Sequence, residues 1–206
     1  MAAVSSQVVS ARLERVENQP YIHYRKGSLV MYRLQDQIGE DAVNRALRHL
    51  LHDYAFKGPP YPTSLALVND LRQEAPADKQ QLITDLFEKI TLYDMKANKA
   101  VAKKRADGRY DLTLTLTAKK LYADGAGKET EAPMNETVDV GAFDVEPGQD
   151  GFSSKKVIAL QPMTIHSGTQ TVTMVVSRAP KIAGVDPYNT MIVRNSEANV
   201  TKVTAG

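Results

Sequence analysis

Tyr110-Asp111-Leu112-Thr113-Leu114-Thr115-Leu116-Thr117 alternates one apolar and one polar side chain without interruption. A period of two sends Tyr110, Leu112, Leu114 and Leu116 to one face and Asp111 with three threonines to the other, the pattern of a half-buried strand. Upstream, Asp107-Gly108 is a hairpin signal that pairs this strand with residues 91–104. Downstream, Asp124-Gly125-Ala126-Gly127 makes the next turn. Val138, Val140 and Phe143 mark a further strand and residues 157–165 another. Ser167-Gly168 turns into Val172, Met174 and Val176, which alternate again. The polar, glycine-bearing stretch 147–154 reads as a mobile loop. No helical period interrupts these strands, so residues 92–206 are expected to form an antiparallel β-sandwich of immunoglobulin or fibronectin type.

Before residue 91 the period is helical. Val30, Met31, Leu34 and Ile38 recur at helix spacing, with Gly39 as the stop. Val43, Ala46, Leu47, Leu50, Leu51 and Tyr54 then form one continuous stripe, the clearest element of the chain, ended by Lys57-Gly58-Pro59-Pro60. Thr63 or Ser64 can cap a third helix carrying Leu67, Val68 and Leu71 inward. Asp78 can cap a fourth, with Leu82, Ile83, Leu86, Phe87 and Ile90 as its stripe. A short helix is also expected between residues 5 and 16, broken by Asn18-Gln19-Pro20. The fold class is α+β by segregated domains: a short helical bundle over residues 1–91, then the β-sandwich over 92–206. So modest a bundle implies that part of its apolar surface is made for a partner domain.

Composition narrows the function classes. A net charge of +2 over 206 residues, with no Lys/Arg run interleaved with aromatics, argues against a nucleic-acid platform. The absence of cysteine excludes disulfides, thiolate zinc sites and a cysteine nucleophile. No apolar stretch approaches the roughly 20 residues that cross a bilayer, and the start does not read as a signal peptide, so the chain as it stands is expected to be soluble.

The histidines are His23, His49, His52 and His166. His49 and His52 make an H-x-x-H pair with Asp53 beside it, but a zinc hydrolase needs a third ligand and a general base. The helix signature would be H-E-x-x-H; here Leu50 and Leu51 stand between the histidines, so the pair reads as part of a polar face. There is no G-x-S-x-G elbow, P-loop or dinucleotide fingerprint. The Asp/Asn-rich stretches 186–189 and 194–199 fit no EF-hand spacing and read as turn chemistry. What remains is Pro20-Tyr21-Ile22-His23-Tyr24-Arg25-Lys26-Gly27-Ser28. A tyrosine at such a helix-opening corner can hold its ring by packing and aim its hydroxyl into a cleft, where a phenol can donate to a developing oxyanion. An ordinary packed tyrosine is the alternative.

Tyr24-Arg25-Lys26-Gly27 followed by an apolar helix resembles a segment of the aminopeptidase N-like zinc metallopeptidases, the gluzincin aminopeptidases. In that family Tyr-x-Lys-Gly opens a helix downstream of H-E-x-x-H and its third-ligand glutamate. The resemblance extends through Ile38-Gly39-Glu40-Asp41 and through Asp85-Leu86-Phe87-Glu88-Lys89-Ile90 into the strands. Gly184-Val185-Asp186-Pro187-Tyr188-Asn189 resembles a closing segment of bacterial, membrane-embedded members that carry a transporter-permease-like region. It implies that Tyr24 is the catalytic tyrosine stabilising the tetrahedral intermediate opposite zinc, with Lys26 and Gly27 as the pair that positions it. Because this chain has no H-E-x-x-H, no ligand glutamate and no substrate-amine motif, the resemblance implies a C-terminal fragment. Such a fragment holds no metal or cofactor itself, and is inactive alone. Its partners would be the missing upstream catalytic domain, which carries the zinc, and a peptide substrate in the intact enzyme. The competing expectations are a non-enzymatic module that binds a protein or an extended peptide, and a metal hydrolase built on His49 and His52.

Overall fold

The structure, a computed structural model, describes residues 12–15 and 21–206. The chain divides into two compact units, Met1–Thr91 with Tyr122–Thr130, and Leu92–Leu121 with Glu131–Gly206. The architecture is mixed α+β, with four helices and a large curled sheet of eight strands among the described residues.

In the helical unit, α1 (Gly27–Ile38) continues directly from a π-helical turn, Tyr21–Lys26, and buries Val30 and Leu34. Gly39, at φ 88°, stops it by donating its N–H to Gln35 O, a conformation that glycine adopts without steric cost. α2 (Glu40–Tyr54) packs on α1 and on α3 (Ser64–Glu74). Its expected stripe is buried only in part. Val43 and Ala46 are inside with Ala42, whereas Leu51 and Tyr54 are exposed. Arg45 Nε meets Glu74 Oε2 at 2.6 Å, tying α2 to α3.

The caps differ from expectation. Thr63 makes no side-chain cap, and Ser64 Oγ donates instead to the carbonyl of Glu14, 2.5 Å away. Asp78 lies in a 3₁₀ turn, Ala77–Lys79, and caps nothing. The fourth helix is shorter than its stripe implies: α4 spans Gln80–Ile83 and widens into a π-helical turn, Thr84–Glu88. That turn buries Asp85 as well as Phe87, because its carboxylate has donors: Tyr122 Oη at 2.6 Å and Gln81 Nε2 at 3.0 Å. Arg72 fastens α3 to this segment, donating to Gln80 Oε1, Thr84 Oγ1 (2.8 Å) and the Glu88 carboxylate. Most of the short helix expected between residues 5 and 16 lies outside the described residues; within them, Leu13–Arg15 is a 3₁₀ turn.

The strands are β1 (Ile90–Lys104), β2 (Tyr110–Ala123), β3 (Glu129–Ala132), β4 (Asn135–Phe143), β5 (Val157–His166), β6 (Gly168–Val176), β7 (Ile182–Val185) and β8 (Val200–Ala205). Their order is β3-β2-β1-β8-β7-β4-β5, with β6 also paired to β2. The turn at Gly108 (φ 83°) joins β1 to β2. Leu112, Leu114 and Leu116 are buried with Met95, Val138, Val140 and Ile165, as the alternation requires. β6 runs antiparallel to β2, setting Thr113, Thr115 and Thr117 opposite Thr173, Thr171 and Thr169.

The expectation of purely antiparallel pairing is corrected: β8 pairs with β1 in parallel, Ala100 beside Val203 and Ala102 beside Ala205. A parallel neighbour needs a long crossover, and here nearly the whole unit separates the two strands. Residues 147–154, expected as a mobile loop, form successive turns closed by Gln149 N–H to Glu146 O and Phe152 N–H to Gln149 O. Lys120 is buried in this unit and its Nζ pairs with Glu136 Oε1 at 2.9 Å, with the Tyr93 hydroxyl 3.3 Å from the same oxygen.

Candidate functional site

The motif residues divide sharply by environment. Tyr24 stands in the π-helical turn that opens α1 and is 72% exposed, while Lys26 and Gly27, two and three residues on, are buried. Ser28 Oγ donates to Arg25 O at 3.0 Å, tightening the junction between the turn and α1. Burial lowers the Lys26 ammonium from 10.5 to about 8, since desolvation penalises the charged form. The apolar period of α1 demands this layout: anchoring Val30 and Leu34 leaves the residues half a turn away outside.

Solvent also reaches a group of large apolar side chains in the same unit. Leu29 and Tyr32 on α1, Leu51 and Tyr54 on α2, and Phe56 and Tyr61 beyond it are all exposed. Phe56 takes φ 60°, a backbone conformation uncommon for a bulky residue. Sequence reading placed Leu51 and Tyr54 on one continuous apolar stripe with Val43 and Ala46, without separating the buried part from the exposed part. The signal that could have separated them is the flanking sequence, in which His49, His52 and Asp53 crowd the last turn of the stripe with polar groups.

The paired histidines turn to different partners. His49 Nδ1 lies 3.8 Å from Glu74 Oε1, and His52 Nδ1 is 2.9 Å from Asp53 Oδ1. Among the described residues no three His, Cys, Asp or Glu side chains are grouped so as to hold a metal ion. The zinc that the family resemblance implies therefore finds no fitting donor set in these residues. His166, at the end of β5, is held through its backbone: its carbonyl accepts from Gln170 Nε2 at 2.7 Å.

The Asp/Asn-rich stretch is a built turn. Asp186, at φ 45°, is buried and accepts from Thr190 N–H, Thr190 Oγ1 and Met191 N–H at 2.8, 2.7 and 3.1 Å. Its neighbour Tyr188 sits edge-on to Phe143 and Phe152 with ring centroids 6.1 and 6.4 Å away. Burial, and secondarily the charge of Asp139, raise the Tyr188 phenol. The aromatic trio fixes the turn to the sheet; it converges on no titratable pair.

No protein-family model matches the chain, and no curated protein matches it either. No helix among the described residues is long and apolar enough to cross a membrane.

Proposed function

We propose that this chain is the C-terminal part of a zinc-dependent aminopeptidase, in which Tyr24 supplies the hydrogen bond that stabilises the tetrahedral intermediate. The observation that carries the reading is the layout of the motif: an exposed tyrosine on a turn whose lysine and glycine are buried. That is the arrangement of a side chain held by its neighbours and offered outward. In this reading the helices are the closing bundle of a catalytic domain, and the strands form a supporting sandwich.

Tyr24 acts as a preorganised O–H donor aimed at negative charge that develops only in the transition state. The π-helical turn fixes its backbone, and Lys26 and Gly27 fix the turn. The metal belongs to the missing upstream domain, and no step is assigned to His49 or His52. In this reading the isolated chain lacks the domain whose zinc activates water, and is inactive for that reason.

The test is made in the intact parent protein. Tyr24→Phe should lower turnover of an aminoacyl-anilide on the order of a hundredfold or more, with KM changed far less. Unchanged turnover sinks the assignment, as does hydrolysis by the isolated chain that survives purification and disappears in Tyr24→Phe.

The exposed apolar side chains of α1 and α2 also support a second reading, a non-enzymatic module that binds a protein or an extended peptide. The two part on one measurement: a binding module loses its partner when Leu51 or Tyr32 becomes polar and is indifferent to Tyr24→Phe.

A further inference from the structure

The turn between β2 and β3 borders a cavity of about 330 Å³ in the helical unit, lined chiefly by Arg12, Lys89, Tyr122, Asp124, Lys128 and Thr130. Its three cations come from three places in the sequence. Arg12 precedes the first 3₁₀ turn, Lys89 follows the π-helical turn, and Lys128 closes the β2–β3 hairpin.

None of the three forms an ion pair among the described residues. Lys89 Nζ stands 5.8 Å from the centroid of the Tyr122 ring, which holds it at the wall without neutralising it. The single carboxylate of the lining, Asp124, is already engaged: its Oδ1 accepts from the backbone N–H groups of Ala126 and Lys128 at 2.9 and 2.8 Å. The Tyr122 hydroxyl is engaged too, donating to Asp85. What the cavity leaves uncommitted is three cationic donors around one concavity, against one carboxylate that is tied into a turn.

We propose that this cavity binds a small phosphate monoester. Three cations and one carboxylate leave an excess of two positive charges, which a monoester phosphate, carrying about −1.5 to −2 at neutral pH, complements. Guanidinium and ammonium groups are the donors that pair strongly with phosphate oxygens. The volume lies at the small end of ligand pockets, enough for a phosphate and a small organic group but not for a polynucleotide. Tyr122 and Ile90, which also line the cavity, are the residues available to that organic group. The source can be a soluble metabolite or the monoester headgroup of a lipid; the recognising chemistry is the same.

The experiment titrates the whole chain with phenyl phosphate and, separately, inorganic phosphate, following backbone amide resonances. Phenyl phosphate should saturate and shift the amides of residues 124–130 most. Arg12→Ala and Lys128→Ala should each weaken it about tenfold, and raising salt from about 20 to about 200 mM should weaken it as well. Lys96→Ala, which changes an exposed lysine of the other unit, should leave it unchanged. Binding that never saturates, shifts spread over the surface, or an equal loss in Lys96→Ala overturns the site. Sedimentation with phosphatidic-acid vesicles, competed by phenyl phosphate, upholds it with a lipid source. Saturable phenyl phosphate binding without vesicle association upholds it with a soluble one.

Discussion

Lys26 shows what one residue of the motif costs. The residue is buried, and desolvation holds its pKa at about 8 against 10.5 when unfolded. Below pH 8 the folded and unfolded chains are both protonated here, and the full penalty of the buried charge is present. Between pH 8 and 10.5 the unfolded chain binds the extra proton, so this group makes stability rise with pH across that window. The gain is on the order of 3 kcal/mol. Lys26→Met should therefore stabilise the chain at pH 7, and its advantage over the wild type should vanish by pH 10.5. Urea unfolding of both proteins at several pH values measures that difference and cancels other titrations common to both. A constant advantage would mean that Lys26 acts through shape alone. Tyr24 is the contrasting case, since an exposed phenol contributes little to the fold. The two behaviours separate a positioning residue from one offered outward. Sequence reading could name both residues from the motif. It could not tell their exposures apart, because burial is fixed by tertiary packing that no local pattern records.

Among the elements, long strands were legible and short ones were not. The run beginning at Tyr110 carries its alternation over enough residues to declare its face, and the Asp107-Gly108 turn declares its partner. β7 and β8, with 4 and 6 residues, are too short for a period to rise above composition. Their pairing also depends on contacts far away in the chain. β7 nevertheless carries one of the tightest approaches in the protein. Gly184 faces Val200 across the β7–β8 ladder and Gly141 across β4–β7. A Cβ built on Gly184 would lie 2.6 Å from the backbone oxygen of Asn199 and 2.6 Å from Val200 Cγ1. Backbone cannot swing aside as a side chain can, so Gly184→Ala should cost about 1–3 kcal/mol, the usual range for overpacking. Gly125 in the β2–β3 turn has open space around its Cα and needs no positive φ. Gly125→Ala should stay within about 0.5 kcal/mol of wild type. Equal denaturant midpoints for the two variants would show that the β7–β8 ladder yields more easily than its spacing implies.

Across the whole molecule, the helical unit buries some of its apolar periodicity and leaves the rest in water. Leu34 is fully buried, whereas Leu51, in an equally apolar position of the sequence pattern, is 63% exposed. Periodicity records which side of a helix seeks an apolar surface, but not whether that surface belongs to the same chain. This is why the helices and an outward apolar surface were legible, but the particular side chains that form that surface were not. It also explains why the β2–β3 tip went unrecognised as a neighbour of the helices: it is tied by Tyr122 to Asp85, a contact no local pattern announces. If the exposed side chains await an upstream domain, their contribution to stability appears only when that domain is present. Leu51→Gln keeps helix propensity nearly constant and removes only the apolar group. In the isolated chain it should change stability by less than about 0.5 kcal/mol. Leu34→Ala should cost about 2–5 kcal/mol in the same chain, since it empties a packed site. In the intact parent, Leu51→Gln should cost about 1.5–3 kcal/mol, the range for a large apolar side chain removed from water. Urea midpoints of both lengths give the comparison, with sedimentation used to exclude self-association of the isolated chain. A large loss in a monomeric isolated chain would mean that Leu51 already packs within it, and a negligible loss in both lengths would leave no partner for this face.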